Sequence, residues 1–478
     1  MTSGDTATSI VAGPAPPRRP PARYLAATAL VAASLILVTV LRLTMGTIGV
    51  WGLVPIVLYA ALALLGVDIV MATVTALLVA VVQTATTPVA LGELFAESLG
   101  SFIAVVGLII VLGGALGQVA ERTGAAQTLV RGLMNRIGLN TPARVQVGVM
   151  LSSTVLVGAL GTLSGANALL APIVVPIAAA VSRTPPSVAA MLHAGGAAGL
   201  FLGPFTPPVV TIMGAAGIGY GTYLLSAGIP MAVVTWGVGF GMARWIQRRT
   251  RGKDRYEEAE VAAAEQAAQP ATVSARWATV GFLGTIVIMA VAGVIVGAGY
   301  TYALVVMLVT AAVTAALGRM RPTEALNAMY TGGSRLIWLF LLFWLFNPLL
   351  ELVGQTGAYK AMLDGVRPVL DTLGPWGFCM LVLFIGWIGV AGAAVAQVVL
   401  MDKLFAPLLA GLGIPGGAWA AAMLGASQID WFGPFPNADM VGQMGLARSR
   451  NLPMMLFNGW AIMIANIAML AVLFLILL

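Results

Sequence analysis

Across 478 residues the chain carries a single cysteine, Cys379, and a single histidine, His193. The first excludes an intramolecular disulfide and the second argues against a histidine-built metal centre, so no metal site is expected. Charge is also scarce, since 9% of residues are Asp, Glu, Lys or Arg, against roughly a quarter in soluble domains. No phosphate-binding loop is present, because the one Gly-Lys pair, Gly252-Lys253, is followed by Asp254 rather than Ser or Thr. HExxH and GxSxG are missing too, which argues against an intramembrane hydrolase and leaves no enzyme class in view. The net charge of +7 does not point to nucleic acid, which needs basic residues gathered on one solvated face.

What the chain has in abundance is apolar sequence: 60% of residues are hydrophobic and the mean hydropathy is +0.98. Runs of about 20 apolar residues suffice to cross the hydrocarbon core, and this sequence offers many. The expected fold is an all-α polytopic membrane protein embedded in the lipid bilayer, with about 11 transmembrane helices. It reads as an inverted repeat of about five spanning helices plus one re-entrant hairpin each, preceded by one extra helix.

In order, residues 1–22 read as a disordered tail rich in Pro, Ala, Ser and Thr, and 23–47 as the extra helix. Repeat 1 occupies 48–243, with spans near 48–66, 69–87 and 99–120 after the first at 24–45. From Arg144 to Val181 two apolar arms meet at GTLSGANA (Gly161–Ala168), which fits a re-entrant hairpin with short arms, although two full crossings remain open. A broken span near 187–217 and another span near 222–243 follow. Residues 244–276 are strongly charged and read as a cytoplasmic linker, and 277–478 as repeat 2.

Two stretches cannot be continuous helix. Gly433–Asp439 reads GPFPNAD and Gly203–Pro208 reads GPFTPP, and proline removes a backbone donor and clashes with the preceding turn. Unwound backbone at membrane depth is tolerated only where protein buries it or a watery cavity borders it, and transporters build binding sites there. The two breaks belong to a longer series: Pro88 with Pro322, Thr123-Gly124-Ala125 with Thr356-Gly357-Ala358, Gly158 and Gly161 with Gly389 and Gly392, and Pro176 with Pro407. Their shared order marks a duplication. With an odd number of crossings per repeat, all Lys and Arg residues except Arg42, Lys360, Arg367 and Lys403 fall on one face. The positive-inside rule makes that face cytoplasmic, with the N-terminus inside and the C-terminus outside a bacterial plasma (inner) membrane.

The TGA segments, the SGAN hairpin, the GPFTPP break with its IMGAAGIGYGTYLLSAGIP continuation and the inverted repeat together resemble the ion transporter superfamily. Within it they are most similar to gluconate permeases and metal-citrate symporters, over roughly residues 48–478. The resemblance implies two re-entrant hairpins and two broken helices around a central site, a homodimer, and one part moving as an elevator. The second hairpin tip, GVAGAAVAQ (Gly389–Gln397), departs from the Ser/Asn/Thr signature of dicarboxylate members.

Carried over on those motifs, the substrate contacts are Ser164, Gly165, Ala166 and Asn167 at the first tip, Thr206 and Pro207 at the first break, and Gln397, Pro436 and Asn437 in the second repeat. Helix N-termini with unpaired N–H groups suit a carboxylate. Capping of the broken helices by the same Ser and Asn side chains is the other reading.

Ionisable groups within spans are functional candidates by default, which selects Asp430, Asp439, Asp402 and His193 for ion coupling. A structural pairing of one aspartate with Lys403, and a hydrogen-bonded structural His193, stand beside it. The expected function is a permease that imports a small organic anion, a sugar acid or carboxylate, with H⁺ or Na⁺ as coupling ion and no cofactor. A Na⁺/H⁺ or other cation antiporter is the alternative, and a scaffold or membrane enzyme the third class.

Overall fold

The computed structural model describes residues 21–44, 48–138, 141–257, 272–387, 394–433 and 435–478, and every regular element among them is helical. Most of the expected tail, the acidic part of the linker, most of the second hairpin tip and Pro434 lie outside the described residues.

Helix α1 (Pro21–Thr44) is followed by a 3₁₀ turn (Gly49–Leu53) running into α2 (Val54–Leu64), then α3 (Ile69–Thr84), α4 (Pro88–Ser98), α5 (Phe102–Arg122) and α6 (Ala125–Ile137). The hairpin is α7 (Pro142–Leu160) and α8 (Leu163–Ala180), and the first broken helix is α9 (Pro185–Leu202) and α10 (Pro207–Ala216). A short α11 (Tyr220–Tyr223) passes through a π turn (Leu224–Gly228) into α12 (Ile229–Thr250). After the linker come α13 (Val273–Ile295), α14 (Tyr302–Leu317), α15 (Pro322–Ser334), α16 (Ile337–Gln355) and α17 (Ala358–Gly386), kinked at Gly374. The chain ends with α18 (Ala394–Leu412), α19 (Gly416–Ala426), a 3₁₀ turn (Ser427–Asp430), α20 (Ala438–Leu446) and α21 (Leu452–Leu477).

The two halves run through the same series of elements. Pro88 and Pro322 each open a short helix at its first turn, where a missing N–H costs nothing. Gly124 and Gly357 precede α6 and α17 with the same left-handed φ of 74°, a conformation that a Cβ disfavours.

Nine helical stretches of the described residues are long and apolar enough to cross a membrane, and four shorter apolar ones accompany them. The difference from the expected 11 has two sources. Helices over 49–64 and 69–84 are shorter than the expected spans near 48–66 and 69–87, and that over 302–317 is also among the short ones. The hairpin arms are longer, at 19 and 18 residues, so their expected shortness is corrected: each rises about 27 Å at 1.5 Å per residue. Pro172 and Pro176 are accommodated inside α8.

Helices from opposite halves form one packed group, in which α5 lies against α14, α15 and α16, and α3 against α16. The hairpins, the broken helices, α12 and α21 form the other. Small residues bring α9 against α7. A Cβ on Gly195 would lie 2.6 Å from the Met150 carbonyl oxygen, and one on Gly199 2.4 Å from that of Thr154. The turn of the first hairpin lies level with the first break, since a Cβ on Gly161 would meet Pro207 Cδ at 3.4 Å. Each hairpin then packs on the broken helix of the other half: α8 on α20, and α18 on α10.

Candidate functional site

Breaking α9 frees the carbonyls of its last turn, and buried carbonyls need donors. Thr206 donates to the carbonyls of Leu200 (2.6 Å) and Gly203 (3.0 Å), Tyr223 to that of Phe201 (3.1 Å), and Tyr220 to that of Leu202. Pro207 opens α10, and Thr206 is fully buried. The first break is thus closed by three hydroxyls of its own repeat.

The second break is tied down by side chains from both halves. Asn437 caps α20 by accepting from the Met440 amide (2.7 Å), while its Nδ2 donates to the carbonyl of Trp431 (3.2 Å). That carbonyl also lies 2.6 Å from His193 Nε2 of α9. A carbonyl only accepts, so Nε2 carries the proton and Nδ1 faces the Asn458 amide of α21 at 3.4 Å. Pro436 and Phe435 are exposed, and Asp430 is buried at the end of its 3₁₀ turn.

The two halves meet where α8 and α20 begin. Ser164, in the first turn of α8, donates to Asp439 in the first turn of α20 (3.3 Å) and accepts from Gln443 (3.4 Å). Asn167, one turn on, donates to Gln443 (2.8 Å) and to the Leu192 carbonyl (3.0 Å), and accepts from Ser153 (2.7 Å). Asn167, Ser153 and Gln443 are fully buried, whereas Ser164 and Gly165 are exposed and Asp439 is half-buried. A carboxylate therefore sits at the open end of a closed network of amides and hydroxyls. Its place in the first turn of α20 puts it at the favourable end of that helix's dipole.

The remaining candidates lie apart from this junction. Ala166 is buried beneath the tip. Gln397 donates to the carbonyls of Gly386 and Ala426, fastening α18 to α17 and α19. Asp402 accepts from the Trp419 indole (3.0 Å) rather than from its neighbour Lys403. Among the described residues no cluster of three metal-ligating side chains occurs.

Gln443, Ser153, Asn458, Tyr220 and Tyr223 were absent from the candidates that sequence reasoning selected. Gln443 lies one helical turn from Asp439, so the i, i+4 spacing was a usable signal. The others are uncharged at neutral pH, and a search for charged side chains within spans passes over them.

Residues 19–219 match the family model described as the Na⁺/H⁺ antiporter family. No curated protein matches the chain. Among solved structures, the YdaH transporter of Alcanivorax borkumensis aligns at 16% identity and a TM-score of 0.57, covering 81% of this chain and 89% of YdaH. MtrF of Neisseria gonorrhoeae, described with a class of antimetabolite efflux pumps, aligns at 16% identity and a TM-score of 0.59, covering 80% and 84%. The chain shares their fold. The family match covers α1 to α10, and so includes the first hairpin and the first break but not Asp430 or Asp439.

Proposed function

We propose that the protein is a secondary active transporter that exchanges Na⁺ or another small cation for H⁺, with Asp439 carrying the exchanged ion. The observation that carries this reading is the composition of the junction: Asp439 is the one ionisable side chain in a hydrogen-bonded set otherwise made of Ser164, Asn167, Ser153 and Gln443. A carboxylate at the end of a chain of neutral hydroxyls and amides suits a hard cation, or a proton in its place. The match to the Na⁺/H⁺ antiporter family supports the same reading. The proposed site lies where the two halves meet, and re-entrant hairpins, an elevator motion and a dimer are part of this proposal.

Import of an organic anion with H⁺ or Na⁺ is the second reading, favoured by one observation. The N-cap of α8, Thr162, makes no side-chain cap, which leaves N–H groups of the first turn to a carboxylate.

The test is ion flux in everted membrane vesicles or proteoliposomes. Cation exchange requires that Na⁺, K⁺ or Li⁺ dissipate an imposed pH gradient, and that Asp439→Asn abolish the effect while Asp439→Glu keeps part of it. A pH gradient unmoved by any of the three cations, with uptake of a sugar acid that follows the proton or sodium gradient, would replace exchange by symport.

A further inference from the structure

Arg183 lies in the turn between α8 and α9, outside both helices, yet is only 6% exposed. Its Nη2 donates to the Pro142 carbonyl (2.6 Å) and to Gln146 (3.0 Å), anchoring the start of α7. Its Nε is buried without a partner, and the guanidinium pairs with no carboxylate among the described residues. An unpaired buried cation is costly, and here burial, then the charge of Arg244, pulls the guanidinium down to about 10.

Arg183 lines a cavity of about 360 Å³, together with Arg251, Arg255, Asp254, Thr184 and Tyr256. Arg251 and Arg255 are exposed at its mouth, and the one acid, Asp254, accepts from Asn451 (3.2 Å). A second cavity of about 720 Å³ shares Asp254, Arg255 and Tyr256 and adds Lys253, Arg448 and Arg450 together with the acid Glu257. Basic residues from both halves and the linker therefore gather at one end of the bundle.

We propose that the Arg183 cavity binds a phosphate-type oxyanion. The guanidinium, with Nη2 already engaged by Pro142 and Gln146, supplies a permanent positive charge beside the cavity that suits a phosphate, and Arg251 and Arg255 draw the anion in. An anionic group would give Arg183 the counter-charge that no described residue supplies. A phospholipid headgroup and a free phosphate share this chemistry, and basic clusters beside spans attract anionic headgroups.

The test uses the full chain in nanodiscs of phosphatidylcholine alone, with melting followed against inorganic phosphate at constant ionic strength, and in parallel in nanodiscs doped with phosphatidylglycerol. Stabilisation by both probes, or by either alone, supports the site and identifies its source. Arg183→Gln removes that stabilisation. Because Arg183 also anchors α7, the exposed pair Arg251→Gln/Arg255→Gln serves as a second variant, with apparent affinity expected to fall about tenfold or more. Melting indifferent to both probes, or an unchanged response in both variants, overturns the proposal. Cation exchange by the same preparations is read separately, so failure of either claim leaves the other distinguishable.

Discussion

Asn167 of α8 donates to Gln443 of α20 at 2.8 Å, joining side chains 276 residues apart. The bond links the first hairpin to the second broken helix, so it holds one half of the chain against the other at the depth where both are interrupted. Its loss has unequal consequences on the two sides. Gln443→Ala leaves Asn167 Nδ2 still bonded to the Leu192 carbonyl, whereas Asn167→Ala strands a buried Gln443 oxygen. Unfolding in detergent should show about 1 kcal/mol lost for Gln443→Ala and about 2–3 kcal/mol for Asn167→Ala. The double variant should fall short of the sum by at least about 0.5 kcal/mol. Strict additivity would show that the bond does not couple the halves.

His193 is hydrogen-bonded on both ring nitrogens and packs edge-on against Phe432, 5.2 Å between centroids. Those contacts are what a structural strap between α9 and the second break requires. His193→Phe keeps the ring volume and removes both bonds, and the Trp431 carbonyl retains Asn437. Apparent stability should drop by about 1–3 kcal/mol while cation exchange persists. Abolished exchange in a stably folded His193→Phe would instead give the histidine a part in proton transfer.

Close helix approach makes a prediction free of polar chemistry. A Cβ on Gly199 would press on the Thr154 carbonyl of α7, and backbone cannot step aside as a side chain can. Gly199→Ala should cost about 1–3 kcal/mol through overpacking. Gly237 in α12 is the control, since nothing lies within 4 Å of its built Cβ. Gly237→Ala should be neutral or stabilising by up to about 1 kcal/mol, the helix-propensity gain. Equal effects at the two sites would deny that α7 and α9 are in contact in the folded protein.

Much of this architecture is legible because membranes impose simple rules on sequence. Long apolar runs and mid-span prolines place α1, α5, α9 and α10 to within about three residues, and paired positions such as Pro88 with Pro322 point to the duplication. The short helices α4, α6 and α15 escaped, because they are too short to span and carry no strong apolar signal. The junction was half legible: Ser164, Asn167 and Asp439 stand in breaks that proline and glycine announce. Their union across the two halves is a tertiary fact without a local signal. Tyr220 and Tyr223 show the same limit, for nothing in GYGTY says that its hydroxyls reach back to the carbonyls of Phe201 and Leu202.

Those two tyrosines separate the roles of the two breaks. In the first, Thr206, Tyr220 and Tyr223 supply donors to the freed carbonyls, and no carboxylate takes part in these bonds. Tyr223→Phe strands a buried carbonyl and should cost about 1–3 kcal/mol, and Tyr220→Phe, at a half-buried position, about 1 kcal/mol. Neither should lower exchange in molecules that remain folded. Asp439→Asn is expected to behave in the opposite way, because the amide fills the same volume and still accepts from Ser164, so melting changes little while exchange is lost. Measuring melting and flux on the same three preparations makes the contrast decisive. If the tyrosine variants lose flux at unchanged stability, the first break binds the transported ion and the assignment of that task to the second break falls.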